Sequence, residues 1–271
     1  MPPSLPPQLL QSLRLLIRAN HILHHHNLVD AFGHISIRHP FAPDQYILAA
    51  YDPGAPALVK SRDDFIAYRI SDSSPVDDDA PQGYSERFIH GEVLKRFPNA
   101  KCVVHSHSDV VVPFTLAKTA VRPVVHMAGF LGAEPVPVFK VPAEHDLTHD
   151  ILIKTRRLGQ ALASMLTTDQ PVVLQHQHGF TTFGDSVEQA VYRAVYTQTN
   201  CRLLAQALVF AGGDPKAVDY LTPEQARACA RMNEKCQDKS WRLWIREVQV
   251  LRLYANEEGE PDGAAVGGMR V

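Results

Sequence analysis

The sequence predicts an α/β fold in one domain over residues 1–255, followed by a tail over 256–271 that lacks structure of its own. Three observations carry that prediction. Short apolar runs, several with a period of two, alternate with longer segments of helical period. Gly, Pro, Asn and Asp separate the segments at nearly every junction. At 271 residues, 45% hydrophobic and 21% charged, the chain can bury a sizeable core, whereas the Gly/Glu/Pro-rich tail has little to bury.

Taken in order, residues 8–26 form a helix with Leu9, Leu10, Leu13, Leu16, Ile17 and Ile22 on one face. It ends in His24-His25-His26. Consecutive helical residues point about 100° apart, so these imidazoles suit a helix terminus and its exposed carbonyls better than a shared ligand. Gly33 turns the chain into a strand with Ile35 and Ile37 on one face and His34, Ser36 and Arg38 on the other. That polar face suits either solvent or an anionic pocket. Tyr46–Ala50 and Phe65–Ile70 read as strands, with a short helical turn from Ser61 between them. Helix 85–97 buries Phe88, Ile89, Val93, Leu94 and Phe97 and feeds a strand ending at His107. Val110–Leu116 reads as a short helix, Val124–Gly132 as a strand entering a glycine loop, Val136–Val141 as a strand, and 149–166 as a helix over the sheet. The strand Pro171–Leu174 reaches a second histidine group, and Phe180–Phe183 continues it. Asp185 to Glu188 opens a long helix by a capping box, ending near Gly212-Gly213, and Thr222-Pro223 opens the last helices.

Composition removes several function classes. A formal charge of −2 leaves no basic footprint for nucleic acid. No apolar run approaches the ~20 residues that span a bilayer, so no membrane partner is expected. The N-terminal residues lack the basic-then-apolar layout of a signal peptide, and the four cysteines form no CxxC pair. A cytoplasmic protein with reduced thiols is expected.

The chemistry gathers around the strand that ends at His107. Side chains on a strand alternate faces, so His105 and His107 share one face while Cys102, Val104 and Ser106 share the other. Glu86 arrives at the start of the preceding helix. A third imidazole is available from His176 or His178, which share a strand face and which periodicity does not separate. One carboxylate and three imidazoles suit one divalent ion per subunit, zinc, manganese, iron or cobalt, without choosing among them. Such an ion acts as a Lewis acid. No Ser/His/Asp arrangement, glycine-rich phosphate loop or dinucleotide fingerprint competes with it.

These residues carry a resemblance. Ser85-Glu86, His105-Ser106-His107 and Gln177-His178-Gly179, followed by Gly184 and Glu188, resemble in order the class II aldolase/adducin superfamily from about residue 10 to 210. The resemblance implies a three-layer α/β/α class II aldolase-like fold with a central, mostly antiparallel sheet. It implies Glu86, His105, His107 and His178 as metal ligands, the histidine just before glycine being the third imidazole. It also implies a homotetramer with sites near subunit interfaces. Trp241 and Trp244, with Leu243, Val248, Val250, Leu251 and Leu253, exceed what one surface helix needs and suit such an assembly.

Departures from the superfamily's sugar-phosphate aldolases bear on substrate. Their phosphate loops, of Gly-Asn-Ile-Ser, Thr-Pro-Ser-Gly and Ser-Ser type, read here Gly33-His34-Ile35-Ser36, Pro56-Ala57-Leu58-Val59 and Tyr84-Ser85. Residues 30–40, 86–92 and 126–132 are instead similar to the branch of metal-dependent decarboxylases of hydroxylated aromatic or pyridine dicarboxylates. The resemblance therefore implies a metal-dependent lyase that decarboxylates a hydroxylated aromatic or related cyclic carboxylic acid. Glu86, His126 and His34 are the expected catalytic residues, the two histidines as proton donors to carbon. Ser36, Arg38, Arg62 and Tyr84 are expected to hold substrate, an arginine fork taking a second carboxylate. Three rivals remain: an Fe(II) oxygenase with the same ligands, an aldolase acting on a non-phosphorylated substrate, and a non-catalytic adducin-like module.

Overall fold

A computed structural model describes residues 5–53, 55–145 and 148–262. Seven strands, β1 (His34–Arg38), β2 (Gln45–Ala49), β3 (Phe65–Arg69), β4 (Cys102–Ser106), β5 (Val138–Phe139), β6 (Val172–Gln175) and β7 (Gly179–Gly184), form one sheet. Their order is β3-β2-β1-β4-β7-β6-β5. Every pairing is antiparallel except β5 with β6, so the expected mostly antiparallel sheet is what the chain builds.

Alternation along the strands sorts the core into two layers. Ile35, Ile37, Cys102, Val104 and Phe180 join one cluster with α1 (Pro7–His25), α5 (Val187–Phe210) and α7 (Gln237–Gln249). Tyr46, Leu48, Val103 and Phe183 join the other, under α2 (Arg87–Arg96) and α4 (Arg156–Ser164). The result is the three-layer α/β/α arrangement. The remaining helices are α3 (Val112–Leu116) and α6 (Pro223–Glu234). Among the described residues no helix is long and apolar enough to cross a membrane.

Local chemistry explains the ends of these elements. Thr222 and Gln225 form the reciprocal capping box that opens α6, with Pro223 in the first turn. At α5 the cap is Ser186, whose hydroxyl accepts from the Gln189 N–H, in place of an Asp185–Glu188 box. Trp241 and Trp244 are buried in the cluster with α1, so packing within one subunit accounts for them; Leu243, Val250, Leu251 and Leu253 stay exposed.

Four expected elements differ. His126–Leu131 is 3-10 helix rather than strand, because Asn200 takes the Val124 N–H and the Pro123 carbonyl is used by Leu221. The strand expected over 136–141 shrinks to Val138–Phe139, bounded by prolines 135, 137 and 142 that cannot donate to a ladder. Helix starts only at Arg156, where Thr155 caps it, rather than at 149. Phe180–Phe183 does not continue β6 but returns antiparallel to it, through a turn with Gln177 at φ 60°.

The tail also departs from expectation over 256–262. The Glu257 N–H donates to the Lys60 carbonyl, Glu260 pairs with the buried Arg18, and the Asp262 N–H donates to Gln11. Residues 263–271, the rest of that expectation, lie outside the described residues.

Candidate metal centre

Two chain reversals and one helix start bring four donors together. His105 lies near the end of β4 and His107 just beyond it, on one face, with their Nε2 atoms 2.9 Å apart. β7 runs against β4 with Phe180 opposite Ser106. A Cβ on Gly179 would stand 1.9 Å from the Ser106 carbonyl oxygen, so only glycine allows the turn to come this close. That approach sets the His178 ring 4.9 Å from His105 and 4.8 Å from His107. Glu86 is the N-cap residue of α2, and its Oε2 lies 3.6 Å from His105 Nε2 and 3.5 Å from His178 Nε2. One ligand atom from each of the four falls within 4.8 Å of the others.

Outer partners orient the inner ones. Gln175 Oε1 accepts from His105 Nδ1 at 3.0 Å and from the Thr181 hydroxyl at 2.8 Å. The His105 hydrogen is thereby on Nδ1 and the Nε2 lone pair faces the cluster. The Ile153 N–H holds Glu86 Oε1 at 2.9 Å, a bond supplied by the irregular stretch where a helix was expected. Burial pushes the Glu86 carboxyl up to about 7, opposed by that N–H, and burial holds His178 down to about 4. His105 is likewise kept well below the usual imidazole range, by burial first and the neighbouring imidazoles second. Three neutral imidazoles and a carboxylate with their lone pairs turned inward form the donor set of a divalent cation, and the residues fit one.

A cavity of about 540 Å³ opens beside the cluster, bordered by Glu86 and His107 and walled by Phe32, Tyr51, Tyr84 and Leu152. Of the described residues lining it, none is lysine or arginine. His34 also borders it, its ring 4.9 Å from His105 and 4.8 Å from Tyr84. The face of β1 that read as wet or anion-binding is not wet: His34 and Ser36 are buried and bond to His90 of α2, and His34 alone of them borders the cavity. His90 was not assigned a role from sequence. Its position four residues after Glu86, on the same helix face, was the available signal.

Other expected residues lie elsewhere. Arg38, at the far end of β1, donates to the carbonyls of Ala100, Pro43, Leu94 and Phe97, so its guanidinium closes the end of α2. Arg62 pairs with Glu258 through two nitrogens, at 2.8 and 2.5 Å. His126 is exposed beside α6, where its carbonyl accepts from Asn233, and it does not border the cavity. His176 and His178 lie in the turn between β6 and β7, so strand alternation does not govern them, and only His178 joins the cluster.

The architecture is that of an α/β domain with four clustered donors that could hold a metal ion, three imidazoles around strand ends and a carboxylate at a helix start. The chain belongs to the class II aldolase and adducin N-terminal domain family, whose pattern matches residues 14–205. It is 38% identical over 259 residues to Decarboxylase tropJ of Talaromyces stipitatus, covering 90% of this chain and 96% of that protein. It is 31% identical over 201 residues to a 3,4-dihydroxyphthalate decarboxylase of Arthrobacter keyseri, covering 71% and 76%. The fold matches an L-fuculose 1-phosphate aldolase structure from Glaciozyma antarctica at TM-score 0.68 and 16% identity, over 92% of this chain and 95% of that one. With that kinship and its four donors intact, the chain is an enzyme of the lyase class.

Proposed function

We propose that the protein is a metal-dependent decarboxylase of a hydroxylated aromatic or related cyclic carboxylic acid. The observation that carries this is the four-donor cluster opening on an aromatic-walled cavity that, among the described residues, no lysine or arginine lines. Reactions named for the relatives, decarboxylation by tropJ and by the dihydroxyphthalate enzyme, agree with it. A divalent ion in that position would supply a Lewis acid for the negative charge of the reaction. Glu86, His105, His107 and His178 would hold it, zinc, manganese, iron or cobalt being compatible.

The chain's own side chains do the rest. Phe32, Tyr51, Tyr84 and Leu152 offer flat and apolar surface to a ring, Phe32 and Tyr51 from its exposed side. The acid group and an adjacent hydroxyl then face the four donors. Of the two histidines expected to serve the reacting carbon, only His34 borders the cavity. A sugar phosphate is disfavoured, since a phosphate calls for converging cations and N–H groups.

The test is CO2 release under nitrogen from a panel of hydroxyaryl acids, beside sugar phosphates, with metal-loaded and chelated protein. Turnover of a hydroxyaryl acid only when metal is present is the expected result. Cleavage of the phosphates, or activity that vanishes without oxygen, would overturn the reading.

A further inference from the structure

Behind His34 runs a closed chain of three polar side chains. Ser36 Oγ stands 2.7 Å from His90 Nδ1, and His90 Nε2 stands 2.7 Å from His34 Nδ1. Ser36 and His90 are 0% exposed and His34 is 2% exposed, so no solvent intervenes. Tyr46, stacked 6.3 Å from His90, and the apolar residues of α2 enclose the chain from behind.

The direction of each bond follows from its neighbours. Among the described residues the Ser36 hydroxyl has one hydrogen-bond partner, His90 Nδ1, so its hydrogen goes there. The opposite arrangement would leave a buried hydroxyl hydrogen without an acceptor. An imidazole nitrogen that accepts a hydrogen bond carries no hydrogen, so a ring with one accepting nitrogen has its N–H on the other. With its Nδ1 accepting, His90 carries its hydrogen on Nε2 and donates to His34 Nδ1. The His34 hydrogen is then on Nε2, the ring nitrogen left for the cavity.

We propose that Ser36 and His90 are positioning residues that lock His34 as its Nε2–H tautomer, presenting a neutral hydrogen-bond donor to an anionic oxygen of the substrate. What that donor does rests on the decarboxylase reading above; the tautomer does not. Because His90 already donates to Nδ1, His34 would become an imidazolate if it gave its hydrogen to carbon. It acts instead by hydrogen bonding to a carboxylate or ring-hydroxyl oxygen, and the expected role as proton donor is replaced.

The experiment is ring-15N NMR of the zinc-loaded protein, with His34 assigned by loss of its signals in His34→Gln. An unprotonated Nδ1 and a protonated Nε2 are expected, and the reverse pattern would overturn the proposal whatever the activity. Two variants extend the test. In His90→Gln the side-chain oxygen accepts from Ser36 and the amide N–H donates to His34, so the tautomer and most of kcat/KM survive. His90→Met fills the space without a donor and loses about 10–100-fold in kcat/KM at unchanged metal content, the usual effect of removing an orienting partner. Equal losses in the two variants would show that His90 serves only to fill the core. If no hydroxyaryl acid is turned over by the wild type, the functional reading fails while the NMR result stands.

Discussion

Two regions of the molecule each hold three histidines and a glutamate, and they are put to different use. At the strand ends, His105, His107 and His178 present their rings to one another at 4.8–4.9 Å around Glu86. At the end of α1, His24 turns to the Tyr254 hydroxyl at 2.9 Å, and the His25 and His26 rings lie at 84° to each other. His26 packs its edge on Trp244, and Glu247 stands 3.8 and 3.6 Å from the two Nε2 atoms. The difference is in the backbone. A two-residue step on a strand keeps two rings on one face, and an adjoining hairpin can add a third, whereas consecutive helical residues fan out and each ring finds its own neighbour.

The sharpest way to break this contrast is metal analysis of alanine variants. His105→Ala, His107→Ala or His178→Ala each lose at least about 100-fold in metal affinity, since each removes a direct bond. His25→Ala, His26→Ala and His176→Ala keep one equivalent per chain. A second equivalent in the wild type that disappears with His26→Ala would abolish the distinction.

A pH series separates the two regions next. Burial holds His21 and His26, on the α1 side, and His178, in the cluster, each near about 4. Their folded values are depressed, so their stabilisation is present above 6.5 and is lost as pH falls through about 4, at most ~3 kcal/mol each. Glu86 works the other way: its raised value makes its contribution complete below 4.5 and lost as pH rises through about 7. Melting temperatures of chelated protein should therefore fall from pH 6.5 to 4. Added metal should raise them strongly at pH 7 and little near pH 4, where the Glu86 carboxyl is protonated and His178 is becoming so. An increment independent of pH would contradict the assignment of Glu86 and His178 as ligands.

The smallest expected effect is at Arg38. Arg38→Lys loses part of the carbonyl bonding at the end of α2, costing about 1–2 kcal/mol of stability with KM unchanged. A raised KM at unchanged melting temperature would return Arg38 to the substrate.

Much of this was legible from pattern. Alternation placed His105 with His107 and Ile35 with Ile37, and resemblance singled out His178. Alternation reports a face but not a distance along it, so Arg38 read as near the site although it sits four residues from His34. The partner of Arg62 is Glu258, 196 residues away in a stretch that composition marked as lacking structure. His176 and His178 read as strand because the turn depends on Gly179 approaching β4, a tertiary fact. The 124–132 segment failed similarly, since the Val124 N–H and the Pro123 carbonyl where it begins are taken by Asn200 and Leu221 from elsewhere.

The clasp of residues 256–262 on α1 sets the order of synthesis against the order of packing. Arg18 is made well before its carboxylate partner Glu260, which follows 242 positions later. During translation the inner face of α1 must wait for α5 and α7, and the Arg18 charge waits longer still for its partner. Contacts of such sequence separation carry a large loop-closure cost and form slowly. A ribosome-bound chain would thus pass through an interval in which α1 is incompletely seated, ended when residues 256–262 can pack against it.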